Sequence, residues 1–385
     1  MLRLRYIDSY SLGNFHELFN ATSLSMMSHV FDDITYYSTS SSMQAVKYIL
    51  EGLPPNVKHL RLYNWNTRHL GTIVRTGMSA FWNCIILLLA DKDDIIYYNF
   101  NSLWGLPFIN WYCKFSRKKV IVQCHGELEL LTNTKLKPYN YISMKILRGY
   151  LYNDSIHLAE NLKFSVLGES ILNNVEKEFP DVVSSHFISF EHTTIVNKER
   201  ESRIKNKTET DILKIGIIGT IHPYADYNQK FEFAQKLKPY KKIDVYALGR
   251  IFFPKAVMDE NNIKIIPNSE NGFVSRDILL DYISEMDLIC FIYPKNGYRY
   301  TASGSLLDAI ACKKKIYSLH NDYFDGLSKR INYCCYFNSI DEMINSIVNR
   351  GYIANEFDYN ENAEKASPKW EAVRFKKEIT DSVFR

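Results

Sequence analysis

Ser303, Gly304 and Ser305 open the helical pattern LLDAIACK, with Asp308 one turn further on. A helix N-terminus offers unpaired N–H groups and a partial positive charge, which together make an anion site. Small residues let a phosphate approach the backbone closely, and two hydroxyls add donors. The turn follows the apolar run DLICFIYP, residues 287–294, at the carboxyl end of a buried strand. Ligands of parallel-sheet folds gather at such ends. Asp308 reads either as a carboxylate favoured by the helix dipole or as an acceptor for ribose hydroxyls. Phosphate beside ribose would mean a nucleotide. A second constellation, His125-Gly126-Glu127, closes the run KKVIVQC, residues 118–124. There the imidazole is the candidate site group and Glu127 the reserve acid or base.

These residues need elements to hold them. In the first half LRLRYI, DITYY, KHLRLY, DIIYYNF, KKVIVQC and FSVLG read as strands, with helical patterns between them, the longest over 72–90. In the second half LKIGIIG, IDVYALG, IKIIP, DLICFIY and KKIYSL alternate with helical stretches near 227–237, 274–285, 304–313 and 339–350. Such alternation predicts parallel sheets covered by helices. The polar stretch at 197–211 reads as the linker, with FISFEHTT, residues 187–194, as an earlier alternative. The expected architecture is α/β, two Rossmann-like doubly wound domains facing a cleft. The first spans 1–195, the second 196–365, and a closing helix over 366–385 packs back across both. Ser367-Pro368 opens that helix, and Ala372, Phe375, Ile379 and Val383 form its apolar stripe.

The 385 residues carry a net charge of +4, too small to argue for nucleic acid. Seven cysteines in no ligand or disulfide spacing read as reduced thiols, and no signal peptide is seen, which predicts a cytoplasmic protein. The run GIIGTI, residues 216–221, lacks the G-x-G-x-x-G fingerprint of dinucleotide oxidoreductases. DKDD at 91–94 reads as a solvated turn, and no metal is expected. From Lys114 to Tyr152 bases outnumber acids among aromatic and aliphatic residues. That segment is either a solvated basic helix over a core or a surface for an anionic membrane.

GFVSRDILLDYISEMDLICFIYP, residues 272–294, followed by TASGSLLDAIACKKKIYSL resembles the carboxyl-terminal domain of GT-B glycosyltransferases, in particular the retaining family 4 (group 1). LKIGIIGTIHPYADYNQKFEFAQ, residues 213–235, is similar to the first strand, turn and helix of that domain, and VIVQCHGELELL, residues 120–131, to the histidine-bearing turn of the amino-terminal one. The resemblance implies that Asp308 binds ribose and that Ser303, Gly304 and Ser305 bind diphosphate. It places Phe273 and Val274 at the base, Gly219 in the turn after the first strand, His125 near the donor sugar, and Gly13 beside the acceptor. It also shows departures. The acid that touches the donor sugar falls at Tyr300, and the two cations of the diphosphate site fall near Thr220 and Ala225. Arg299 and Arg250 are the nearest replacements.

The expected activity is therefore metal-independent, retaining transfer of a sugar from a UDP- or GDP-type donor, with no further cofactor. The acceptor would be a hydroxyl of a glycan or lipid-linked oligosaccharide in bacterial surface polysaccharide synthesis, with peripheral contact at the inner membrane face and no nucleic acid partner. A nucleotide-sugar 2-epimerase and a catalytically silent sugar-nucleotide-binding scaffold share the fold and stand as alternatives.

Overall fold

A computed structural model of the chain describes residues 1–64, 71–132, 138–152, 156–195, 212–223, 227–267, 269, 274–295, 297–332, 334–351 and 358–380. The linker candidate at 197–211, Phe273, Ala225 and Val383 lie outside them. Two units are present. Unit 1 comprises Met1–Thr193, Arg299–Ala302 and Ser367–Arg385, and unit 2 comprises Thr194–Tyr298 and Ser303–Ala366.

Unit 1 is built on strands β1 (Arg3–Asp8), β2 (Asp33–Ser38), β3 (Val57–Arg61), β4 (Ile95–Phe100), β5 (Lys119–Gln123), β6 (Leu162–Leu167) and β7 (Phe187–Phe190), paired in the order β3-β2-β1-β4-β5-β6-β7, all parallel. Helices α1 (Glu17–Ser28) and α2 (Ser40–Ile49) join β1 to β2 and β2 to β3. The strand order then reverses. α3 (Gly71–Leu89), α4 (Leu106–Ser116) and α5 (Pro138–Leu151) make the next crossovers, followed by α6 (Glu169–Glu178) and α7 (Pro180–His186). Right-handed crossovers place α3, α4 and α5 on the sheet face opposite α1 and α2. Strands covered on both faces become apolar throughout, as in β4, where Ile95, Ile96, Tyr97 and Tyr98 are all buried.

Unit 2 repeats the plan with β8 (Leu213–Ile218), β9 (Ile243–Leu248), β10 (Lys264–Ile265), β11 (Leu288–Phe291), β12 (Lys315–Leu319) and β13 (Cys334–Phe337), in the order β10-β9-β8-β11-β12-β13. These pairs too are parallel. Its helices are α8 (Asn228–Leu237), α9 (Lys255–Glu260), α10 (Arg276–Glu285), α11 (Gly304–Ala311), α12 (Asp322–Ser328), α13 (Ile340–Val348) and α14 (Tyr359–Lys365). The core centres on Ile215, Ile217, Phe233, Val245, Leu288 and Met343.

Each predicted strand is present, and two more join them. Phe187–Phe190, read as a hinge alternative, is β7, and Cys334–Phe337 is the edge strand β13. The closing helix is α15 (Pro368–Glu378), capped where the Ser367 hydroxyl accepts from the Trp370 N–H. Ala372, Phe375 and Ile379 are buried, and the helix packs on α1 and β7 inside unit 1. Glu371, fully buried, accepts from the Glu191 N–H at 2.9 Å and from Arg374 Nε at 2.9 Å.

Candidate functional sites in the two units

A doubly wound sheet opens a crevice at the carboxyl ends of its strands, where the order reverses. In unit 2 that point lies between β8 and β11. The turn leaving β8 is tight. Gly219 has φ +110°, and a Cβ there would sit 2.7 Å from the Tyr293 hydroxyl. Gly249, in the matching turn after β9, has φ +145°, and its Cβ would strike the Gly219 carbonyl at 2.7 Å. Both turns therefore need glycine on two counts.

The other wall is the start of α11. Ser303 is its N-cap, yet its hydroxyl does not cap the helix. Ser303 is 1% exposed, and its hydroxyl has no hydrogen-bond partner among the described residues. Buried hydroxyls are rarely left unmade, so an orphan at a helix N-terminus marks a place for an acceptor ligand. A Cβ on Gly304 would meet nothing within 4 Å among the described residues, so the space beside its α-carbon is open. Ser305 is half-buried on the same turn.

A cation stands at this edge that the sequence pattern did not assign. Lys230 on α8 is buried, and its ammonium donates to the Thr220 carbonyl at 3.0 Å and lies 5.3 Å over the Tyr293 ring. It thus reaches the turn where the family's cations were expected. A sequence signal existed: Lys230, Phe233, Ala234 and Leu237 share the buried stripe of α8, a costly place for a lysine without a task. Arg250 is exposed, with its guanidinium 5.1 Å from the Phe252 ring. Asp308 is buried and ion-paired with Arg276 of α10 at 2.7 Å, a partner the sequence left unmarked. Val274, half-buried, immediately precedes the Ser275 cap of that helix.

Arg299 and Tyr300 belong to unit 1, whereas Ser303–Asp308 lie in unit 2. The Glu178 carboxylate accepts from the Tyr300 hydroxyl, the Tyr152 hydroxyl and Arg299 Nη2. Burial works against that charge, but the two hydroxyls and the Arg299 guanidinium hold its pKa below the usual range. The Tyr300 N–H donates to Glu129 at 2.8 Å, and a Cβ on Gly126 would sit 3.0 Å from the Thr301 hydroxyl. The segment is thus laced against the turn that carries His125 and Glu127.

In unit 1 the reversal lies between β1 and β4, and β5 is the next strand. His125 is buried at the end of β5. Its Nε2 lies 2.6 Å from the Asn99 carbonyl, which can only accept, so Nε2 carries the proton and Nδ1 presents a lone pair. Asn99 Nδ2 donates to Asn20, and Asn20 donates to Asp8, which also accepts from Ser42 and the Ser11 N–H. This chain of buried bonds fixes the imidazole. Burial lowers the His125 pKa to about 4, only partly offset by the bond to Asn99. Beside it His16, whose ring centroid is 5.0 Å away, is lowered to about 3 by burial, then by His125 and Arg75. Glu127 turns Oε2 back onto the His125 and Gly126 N–H groups at 2.6 and 3.0 Å, while Oε1 is buried without a hydrogen-bond partner among the described residues. Burial raises its pKa against those bonds.

A stack leads away from His125. Phe100 lies on it at 5.4 Å, Tyr10 on Phe100 at 4.3 Å, and the Arg75 guanidinium on Tyr10 at 3.8 Å. Arg75 Nε is buried with no hydrogen-bond partner among the described residues. Gly13 lies in the same β1–α1 connection with φ +57°, its N–H on the Ser41 hydroxyl at 3.1 Å.

No protein-family model matches the sequence, and no curated protein matches it. Solved structures do. An N-terminal domain of trehalose-6-phosphate phosphatase from Candida albicans is 11% identical with a TM-score of 0.61, covering 99% of this chain and 97% of its own. WaaG, a glycosyltransferase involved in lipopolysaccharide biosynthesis, is 12% identical with a TM-score of 0.56, covering 99% and 100%. Anabaena Alr3699/HepE in complex with UDP is 11% identical with a TM-score of 0.56, covering 99% of each. The two parallel sheets are those of the GT-B fold, two Rossmann-like domains.

Proposed function

We propose that this chain is a glycosyltransferase that moves a sugar from a nucleoside-diphosphate sugar to a hydroxyl of a glycan or lipid-linked acceptor, in bacterial surface polysaccharide synthesis. The observation that carries the reading is the start of α11, where the orphaned Ser303 hydroxyl and the open space beside Gly304 meet an anion-seeking helix end. Lys230 supplies the cation for the diphosphate at the β8 turn. Asp308, already oriented by Arg276, accepts from ribose hydroxyls. On this reading the donor needs no added metal and the anomeric configuration is retained.

Unit 1 holds the acceptor. The neutral His125 offers Nδ1 to a sugar hydroxyl, Glu127 is the reserve acid or base, and the Tyr10–Phe100 stack forms an aromatic bed. Arg75, at the far end of that bed, recognises an anionic group on the acceptor. The expected setting is the cytoplasmic side of the inner membrane.

Calorimetric titration of the purified protein with UDP, GDP, CMP and NAD tests the donor assignment. Binding of UDP or GDP alone, weakened by Lys230→Met, is the expected outcome. Donor turnover without acceptor and with inversion at C2 would assign the chain to the epimerases. Binding without turnover across many acceptors would make it a silent scaffold, and no nucleotide binding would overturn the donor site.

A further inference from the structure

Helix α3 is inside out. Its buried side carries Thr76, Ser79 and Asn83 as well as Ile86 and Leu87, and Ser79 and Asn83 are hydrogen-bonded into the unit. Ser79 meets the Ser9 hydroxyl at 2.7 Å, Ser9 donates to Asn83 at 2.6 Å, and Asn83 donates to Asn101 at 3.0 Å. Its opposite side presents Ile73, Phe81, Leu88 and Leu89 to solvent, Phe81 at 54% exposure and Leu89 at 78%. An ordinary surface helix shows the reverse arrangement. By length and composition α3 could cross a membrane, but its polar side is tied to the sheet, so it lies on the unit rather than leaving it.

The neighbouring helix α4 buries Leu106, Ile109, Asn110 and Cys113 and also exposes apolar side chains. On α4, Phe108, Trp111 and Phe115 form one stripe with ring centroids 5.8 and 5.5 Å apart, and Trp111 and Phe115 are 56% and 72% exposed. Lys114 and Arg117 are exposed beside them. On α5, which shares that face of the sheet, Tyr141 and Ile142 are exposed and the Lys145 ammonium lies 4.8 Å over the Tyr141 ring. Across α3, α4 and α5 there is no Asp or Glu, while Lys114, Lys145 and Arg148 are present on α4 and α5.

We infer that the α3–α4–α5 face of unit 1 docks on an anionic lipid bilayer, with Ile73, Phe81, Leu88, Trp111 and Phe115 entering the headgroup–acyl boundary and the surrounding bases meeting lipid phosphates. Exposed aliphatic and aromatic side chains, a cationic rim and no carboxylates are the chemistry of an interfacial helix surface. A second protein copy would set these cations against their own kind, because a two-fold interface brings the same three helices, which carry no carboxylate, to both sides. The inference specifies the membrane partner of the proposed transferase but rests on α3, α4 and α5 alone. Nucleotide titration reads unit 2, so the two readings fail separately.

The test is co-sedimentation of the full chain with phosphatidylcholine vesicles carrying or lacking phosphatidylglycerol. The wild type is expected to pellet with the anionic vesicles and to be released by salt. The triple variant Phe81→Ser, Trp111→Ser, Phe115→Ser should lose roughly ten-fold or more in partition coefficient. Lys114→Glu with Arg117→Glu should abolish the preference for anionic lipid. All replaced side chains are exposed, so unchanged far-UV circular dichroism and UDP affinity control for folding. Failure to pellet with either vesicle would overturn the inference. So would pelleting that the variants leave unchanged, or a wild-type dimer that the triple variant converts to monomer without any vesicle binding.

Discussion

His125 illustrates how much of a site rests on one proton. Its pKa, lowered to about 4 from 6.5, keeps the ring neutral through the physiological range. The unfolded chain takes up that proton first as pH falls, so the contribution to stability is full above pH 6.5 and is lost toward pH 4. The expected loss is on the order of 3 kcal/mol. Denaturant titrations across that window should show it, with a shallower slope in His125→Gln. Arg75→Met should raise the KM for an acceptor bearing phosphate or carboxylate by about ten-fold or more while leaving UDP affinity unchanged, consistent with loss of a charge-assisted hydrogen bond. His125 was legible in the sequence because it ends an apolar strand. Its orienting group was not, because a backbone carbonyl at Asn99 leaves no mark in residue type. Lys230 was legible only as a misplaced lysine on an apolar stripe, and the Arg276–Asp308 pair joins two helices that no spacing rule relates.

At the scale of elements, two glycines separate folding from binding. Gly219→Ala must force a Cβ against the Tyr293 hydroxyl from a left-handed backbone and should lower stability by about 1–3 kcal/mol in thermal melts. Gly304→Ala meets open space at the start of α11 and should leave the melt unchanged or raise it by up to about 1 kcal/mol. The same substitution should weaken UDP binding, since a methyl group then stands where the phosphate would approach. A fall in stability at Gly304 equal to that at Gly219 would mean that its glycine serves the fold alone. The long strands were legible because burial on both faces makes them apolar throughout. β7 and β13 were missed because four residues, FISF and CCYF, carry too little periodicity to separate from a loop. The sequence marked α3 as helical, but its inverted sidedness emerges only when the sheet partners Ser9 and Asn101 are known.

At the scale of the whole molecule, the two units should melt as separable transitions. UDP at a hundred times its dissociation constant should stabilise unit 2 by about 2.7 kcal/mol, and calorimetry should show that transition moving more than the other. The chain crosses between the units at Thr193–Thr194, Tyr298–Arg299, Ala302–Ser303 and Ala366–Ser367. Those crossings have a consequence for synthesis. As the polypeptide emerges from the ribosome, unit 2 is complete once Ala366 is out, while unit 1 still waits for α15. Until then the backbone N–H of Glu191 has no Glu371 to meet, and the apolar edge at Phe190 has no Phe375. The half of the protein made first is the half finished last, so a nascent chain stalled between residues 303 and 366 should be caught by chaperones through the exposed end of β7.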